Sequence, residues 1–187
     1  MRAWHDDLMH LQRLTSYAAP IILAALVVTV GSWATSAADE QFNWRTYSYP
    51  EYGFAVMFPI EAPTITTIEG SGTAQHIWFV RAPGIVFQIN VAEATQENHE
   101  LASVDAICDA MRQKMMSVDG VVRVYRVFQT QSPACEIAYD TDYDETISVR
   151  LHIVGSRFYQ TFVRGPRGYD SSADAMRFQD SFSLLSP

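Results

Sequence analysis

Clusters of lysine and arginine are missing from this chain of 187 residues, whose formal charge is -8. Phosphate binding needs such clusters, so nucleic acid is not an expected partner. Internal repeats and low-complexity tracts are missing too, and no linker follows Asp39. The chain shows no H-E-x-x-H spacing, no nucleophile elbow and no pair of carboxylates with a defensible spacing. No catalytic residue is assigned on this reading, and no cofactor is expected. Cysteine is scarce, with two residues in all, and neither lies near residue 38, which disfavours a lipoprotein.

Charge is absent from Leu14 to Ala38, and "APIILAALVVTV" (19–30) is the strongly apolar centre of that stretch. Its length of about 12 residues suits a signal-peptide core and falls short of the roughly 20 that span a bilayer as a helix. Small residues follow in "ATSAADE", and Ser36 and Ala38 fit a signal peptidase cutting before Asp39. Residues 1–38 are therefore expected to be a signal peptide, with an uncleaved inner-membrane anchor as the alternative, and 39–187 a single domain. Asp6 and Asp7 cancel Arg2 and Arg13, whereas initiation at Met9 leaves His10 and Arg13 ahead of the apolar run. Met9 is the expected start, and the periplasm or the exterior the expected location.

What remains is an ordinary globular composition, 48% hydrophobic. About 150 residues bury roughly 70% of the unfolded chain's surface, enough for a core without a metal. Strand patterns dominate. "WRTYSY" (44–49) and "FAVMFP" (54–59) flank the turn "PEYG", and Phe54, Val56 and Phe58 share one face. "AQHIWFVRA" (74–82) and "IVFQINVAEA" (85–94) form a hairpin at Pro83–Gly84. "VVRVYRVFQ" (121–129), "ACEIAYDT" (134–141), "TISVRLHIVG" (146–155) and "RFYQTFVRG" (157–165) complete the set. In the third of these Ile147, Val149, Leu151 and Ile153 alternate with Ser148, Arg150 and His152, which predicts one buried and one wetter face, as in an antiparallel sheet. Helices are expected over about 102–117, with Val104, Ile107, Cys108, Met111 and Met115 on one stripe and Ser103 as cap, and over about 172–184. Asp170 to Ser172 offer capping side chains ahead of the second, with Ser171 and Asp174 at capping-box spacing.

The aromatic strand, "YGFAVMFP" (52–59), the hairpin, the central helix and the closing "ADAMRFQDSFSLL" (173–185) resemble the PsbP-like superfamily. The resemblance implies an α+β fold, an antiparallel sheet of about six to eight strands sandwiched by helices, and a non-enzymatic binding or assembly role. It carries no functional residue over, and this chain departs from it at Cys135 in "SPACE".

Few residues carry chemistry. Cys108 on the helix stripe and Cys135 on a strand face with Ile137 and Tyr139 point at one core, so export to an oxidising compartment predicts a disulfide. Two buried thiols are the alternative. In "DTDYDE", Asp140, Asp142 and Asp144 alternate like the first half of a calcium loop and are the candidate metal ligands. Glu145 occupies the place of the turn glycine and Leu151 that of the closing glutamate, so a solvated acidic hairpin tip is the favoured reading. His76, His99 and His152 show no ligand spacing and read as lone surface histidines, His76 and His152 on strands and His99 in a loop. "RGPRGYD" (164–170) reads as a strand-to-helix loop whose Arg164 and Arg167 offer an anion or partner contact. Tyr47, Tyr49, Tyr52 and Tyr143 are candidates for a partner surface, with half-buried strand tyrosines as the favoured reading. The expected function is thus an exported binding or assembly protein of unknown protein or envelope partner, touching the membrane only if the N-terminal segment is retained. The rival is a periplasmic hydrolase or metal-dependent enzyme whose site is assembled only in the fold.

Overall fold

The computed structural model describes residues 42–59, 62–69, 74–93, 103–116, 120–128 and 135–185. The apolar N-terminal segment with its processing site, the Met9 start and His99 lie outside these residues. None of the described helices is long and apolar enough to cross a membrane.

Among the described residues the alternating stretches fold into ten strands, β1 Trp44–Tyr49, β2 Phe54–Pro59, β3 Thr64–Glu69, β4 Ala74–Ala82, β5 Ile85–Glu93, β6 Val121–Val127, β7 Cys135–Asp140, β8 Glu145–Val154, β9 Arg157–Pro166 and β10 Ser183–Leu184. Two helices, α1 Val104–Met116 and α2 Ala173–Ser181, join them. This is an α+β fold made mostly of antiparallel sheet. One seven-stranded sheet has the order β3-β4-β5-β9-β8-β7-β6, and a three-stranded sheet has the order β1-β2-β10. The larger is two meanders meeting where β5 pairs with β9, Ile89 opposite Thr161, and α1 is the crossover between them.

Two strands escape the sequence reading. "TITTIE" is β3, and the tail after α2 extends as β10 instead of continuing the helix. Of the capping side chains offered from Asp170 to Ser172, it is Ser172 that caps the second helix, its Oγ accepting from Ala175 N–H at 3.1 Å, and not a Ser171–Asp174 box. Ser103 caps α1 as expected, accepting from Ala106 N–H at 3.2 Å. Hairpins stand at Gly84 and Gly155, both in the left-handed region that glycine tolerates.

The main core gathers Phe54, Val56, Phe58, Trp78, Phe87, Ile89, Val91, Tyr159, Val163, Ala175 and Phe178, all buried. It lies between the small sheet with α2 and one face of β4, β5 and β9. The expectation of a wetter face on β8 is corrected here. Ser148 and His152 are buried, because α2 and its tail cover that face: Gln179 Nε2 donates to Ser148 Oγ at 2.9 Å, Arg150 pairs with Asp180 at 2.5 Å, and Phe182 lies on His152. On the opposite face Gln88, Asn90 and Gln160 are buried in a row. Gln88 Nε2 donates to Asn90 Oδ1 at 2.6 Å, Asn90 Nδ2 to Gln160 Oε1 at 3.2 Å, and Gln160 Nε2 to Met111 Sδ at 3.8 Å. A polar ladder bonded within itself is tolerable in a core where an unbonded one is not. α1 packs on β6 and β7. Cys108 and Cys135 form the expected disulfide, with Cα atoms 6.2 Å apart.

Candidate functional site

The turn "PEYGF" builds one candidate site. Pro50 opens a single 3-10 turn, Gly53 closes it at φ 75, and Gly53 N–H bonds Pro50 O at 3.1 Å. A side chain at Gly53 would be strained by that φ. Two distant elements lock the turn: Tyr159 Oη donates to Tyr52 O at 2.9 Å, and Leu185 N–H donates to Gly53 O at 2.9 Å. The Tyr52 ring is thereby held 4.8 Å from both His76 and Trp78. Tyr49 lies 5.2 Å from Trp78 and 5.0 Å from Phe54. Across the ladder Ile65 stands opposite Trp78 and Thr67 opposite His76, and opposed residues share a face. Thr67 Oγ1 and His76 Nδ1 are 3.0 Å apart. The result is an aromatic shelf of half-buried Tyr49, Tyr52 and His76 around fully buried Trp78, bordered by β3, where Ile65 is 55% exposed. Burial, with Tyr47 and Glu51 adding to it, pushes the Tyr49 phenol up to about 12, so it stays protonated. Such a surface can stack on apolar or planar groups and hydrogen-bond at its rim. The sequence reading named Tyr49 and Tyr52 but not Ile65, His76 or Trp78 beside them. The signal was the β-branched run in "TITTIE", which supplies the neighbouring strand.

A second assembly joins the two loops that the sequence singled out separately. Arg167 Nε donates to Asp144 Oδ1 at 2.6 Å, its Nη1 to Asp140 Oδ2 at 3.3 Å, and its Nη2 to Thr141 O at 3.4 Å. From β6, Arg123 Nη1 reaches Asp140 Oδ1 at 3.4 Å and Asp170 Oδ1 at 3.1 Å. Thr146 Oγ1 donates to Asp140 Oδ1 at 2.5 Å and accepts from Gly168 N–H at 2.8 Å. Arg164 pairs with Glu145 at 2.6 Å. "DTDYDE" and "RGPRGYD" are therefore each other's counter-ions. Of the candidate ligands, Asp140 is enclosed by two guanidiniums, Asp144 is paired with Arg167 at a positive φ of 60, and Asp142 is exposed in the turn. Among the described residues no three His, Cys, Asp or Glu side chains are grouped to hold a metal ion. Ion pairing of three arginines with four carboxylates makes this hub a clamp across β6, the β7–β8 turn and the β9–α2 loop.

His152 stands apart from both. It lies 4.4 Å from the Phe182 ring, and burial, reinforced by Arg150, pushes its imidazole down to about 4. Tyr47 is half-buried against Phe58 at 6.2 Å, and Tyr143 projects from the turn that holds Asp142.

No family model matches the chain, and no curated protein matches it either. Solved structures do. The solution structure of cyanobacterial PsbP (CyanoP) from Synechocystis sp. PCC 6803 is similar at a TM-score of 0.56 and 7% identity, covering 83% of this chain and 100% of that one. A crystal structure from Bacteroides thetaiotaomicron is 14% identical over 75% of this chain and 48% of its own, at a TM-score of 0.39 that supports no argument. The order of strands and helices expected from the sequence and the CyanoP overlap agree: the chain has a PsbP-like fold.

Proposed function

We propose that this protein is an exported, non-enzymatic binding or assembly protein of the periplasm or cell exterior, delivered by a cleaved N-terminal signal. It engages its partner through the aromatic shelf of Tyr49, Tyr52, His76 and Trp78. The observation that carries this reading is the shelf itself. A turn locked by Tyr159 and Leu185 fixes half-exposed rings around a buried tryptophan, beside a strand that leaves Ile65 exposed. Rigid aromatics with an apolar body and a polar rim are the side chains enriched at protein interfaces. His76 meets Thr67 and Tyr52, and His152 meets Phe182, so the His76 imidazole is itself part of the aromatic surface. The Cys108–Cys135 bridge suits an oxidising compartment. We also read the fold as a sheet with helices on both faces, α1 on the side of Cys135 and α2 on the side of Ser148.

Affinity capture from the native envelope tests the reading, with the unaltered chain compared with Tyr52→Ala. A partner retained by the first and lost by the second is the expected result. Equal capture by both, or turnover of a small substrate by the purified chain, overturns it. The mass of the recovered protein tests signal cleavage, and a mass that retains residues 1–38 refutes it.

A further inference from the structure

Four strands form the outer edges of the two sheets among the described residues. An outer strand presents unpaired backbone groups, and proteins blunt such edges with charge, bulges or brevity. β6 carries the exposed Arg123 and Arg126 and a register shift between Val122 and Val124. β10 has two residues. β1 carries exposed Arg45. β3 carries a charge only at its last residue, Glu69, and has none of these devices between Thr64 and Ile68. That stretch contains no charge, proline or glycine, its pairing with β4 runs without a shift, and Ile65 is 55% exposed.

We propose that β3 pairs antiparallel with β3 of a second copy of this chain, about a two-fold axis normal to the sheet. The strand's own chemistry selects this occupant. A two-fold axis sets a strand against itself, so every like charge on it would face or neighbour its own copy. Thr64, Ile65, Thr66, Thr67 and Ile68 are uncharged and all β-branched, the side chains that fit a pleated surface. An axis normal to the sheet keeps the faces matched, because residues of equal parity point to the same side in both copies. With Ile65 or Thr66 on the axis, Ile65 lies opposite Ile65 or Thr67 of its counterpart and loses its exposure, whereas Thr67 on the axis would set it against Glu69. β6 offers the contrast, since the same operation there would set Arg123 and Arg126 near their own images. The dimer joins two seven-stranded sheets into one and lays the two aromatic shelves on the same side of it. This inference goes beyond the binding reading and does not rest on it, because it needs only the edge.

Sedimentation velocity of the purified chain, as recovered from the expressing cell, tests the proposal from low-micromolar to sub-millimolar concentration. A concentration-dependent monomer–dimer equilibrium is expected. Ile65→Lys and Thr64→Lys place a charge on either face of β3 at exposed positions, and each weakens self-association by about tenfold or more, with an unchanged near-ultraviolet circular dichroism spectrum. Tyr52→Ala leaves the dimer intact, so failure of the edge and failure of the shelf are told apart. A chain that stays monomeric over the whole range overturns the proposal, and so does a dimer that neither lysine weakens.

Discussion

Gly165 has no room for a side chain. A Cβ there would stand 2.6 Å from two ring carbons of Tyr169, which the β9–α2 loop folds back over the strand. Gly165→Ala is expected to destabilise by about 1–3 kcal/mol through overpacking, read as a lower denaturant midpoint at unchanged slope. His152 has a different consequence. Its imidazole titrates near 4 in the folded chain, against an ordinary 6.5. Between those pH values the unfolded chain binds the proton and the folded chain does not, so the contribution of His152 to stability falls as pH drops from 6.5 toward 4 and is level outside that window. The full difference is about 3 kcal/mol. His152→Leu should flatten the slope, and parallel pH profiles of the two proteins would refute the assignment. Alternation correctly grouped His152 with Ser148 and Arg150. It could not tell that α2 and Phe182 cover that face, because periodicity along one strand reports which residues share a side and not what lands on it.

At the scale of elements, local signals were legible and pairings were not. Turn glycines, capping serines and helical stripes act within a few residues, and they placed eight of the ten strands and both helices to within a few residues. β3 was overlooked because "TITTIE" has short, mostly polar side chains and no aromatic. β10 was overlooked because "SL" continues a helical stripe and is drawn out only by Ala55 and Phe54 of β2. The hub was invisible for the same reason. Arg123 and Asp170 meet only after β6 and the β9–α2 loop reach Asp140 from different parts of the chain. The disulfide was legible because both cysteines stood on apolar stripes. α1 buries Cys108, Met111 and Met115, while the main core of Phe54, Trp78, Phe87 and Phe178 contains no residue of α1. Replacing both cysteines by alanine should therefore cost about 3.5 kcal/mol on the chain-entropy model, with the loss concentrated locally. Amide exchange across 104–116 is expected to quicken most, with β4, β5 and β9 still slow. Uniform acceleration over the whole chain would show instead that α1 and the main core melt together.

For the molecule as a whole, closure of the small sheet is the step that couples distant parts of the chain. β2 sits between β1, its hairpin neighbour, and β10, so Ala55 lies opposite Ser183 and Phe54 opposite Leu184. Phe182, at the junction of α2 and β10, contacts Phe54 at 6.0 Å, Tyr159 at 5.6 Å and His152 at 4.4 Å. Leu185 then fastens the turn that holds Tyr52 on the shelf. The tail thus seals the main core, keeps water from His152 and orients the proposed binding surface in one stroke. Pairings of such sequence separation form late and slowly, since loop closure precedes any gain from contact. Deleting residues 182–187 is expected to cost about 3–5 kcal/mol, the range for losing a packed phenylalanine, with the strand bonds adding to it. The same deletion wets His152 and should shrink the stability slope between pH 4 and 6.5. Phe182→Ala in the full-length chain should reproduce most of both effects, because the ring, more than the two residues of β10, covers the imidazole. Denaturant melts at pH 7 and pH 4.5 decide the matter. If the truncated chain keeps its midpoint and its pH slope, burial of His152 has another cause and the tail is not the seal.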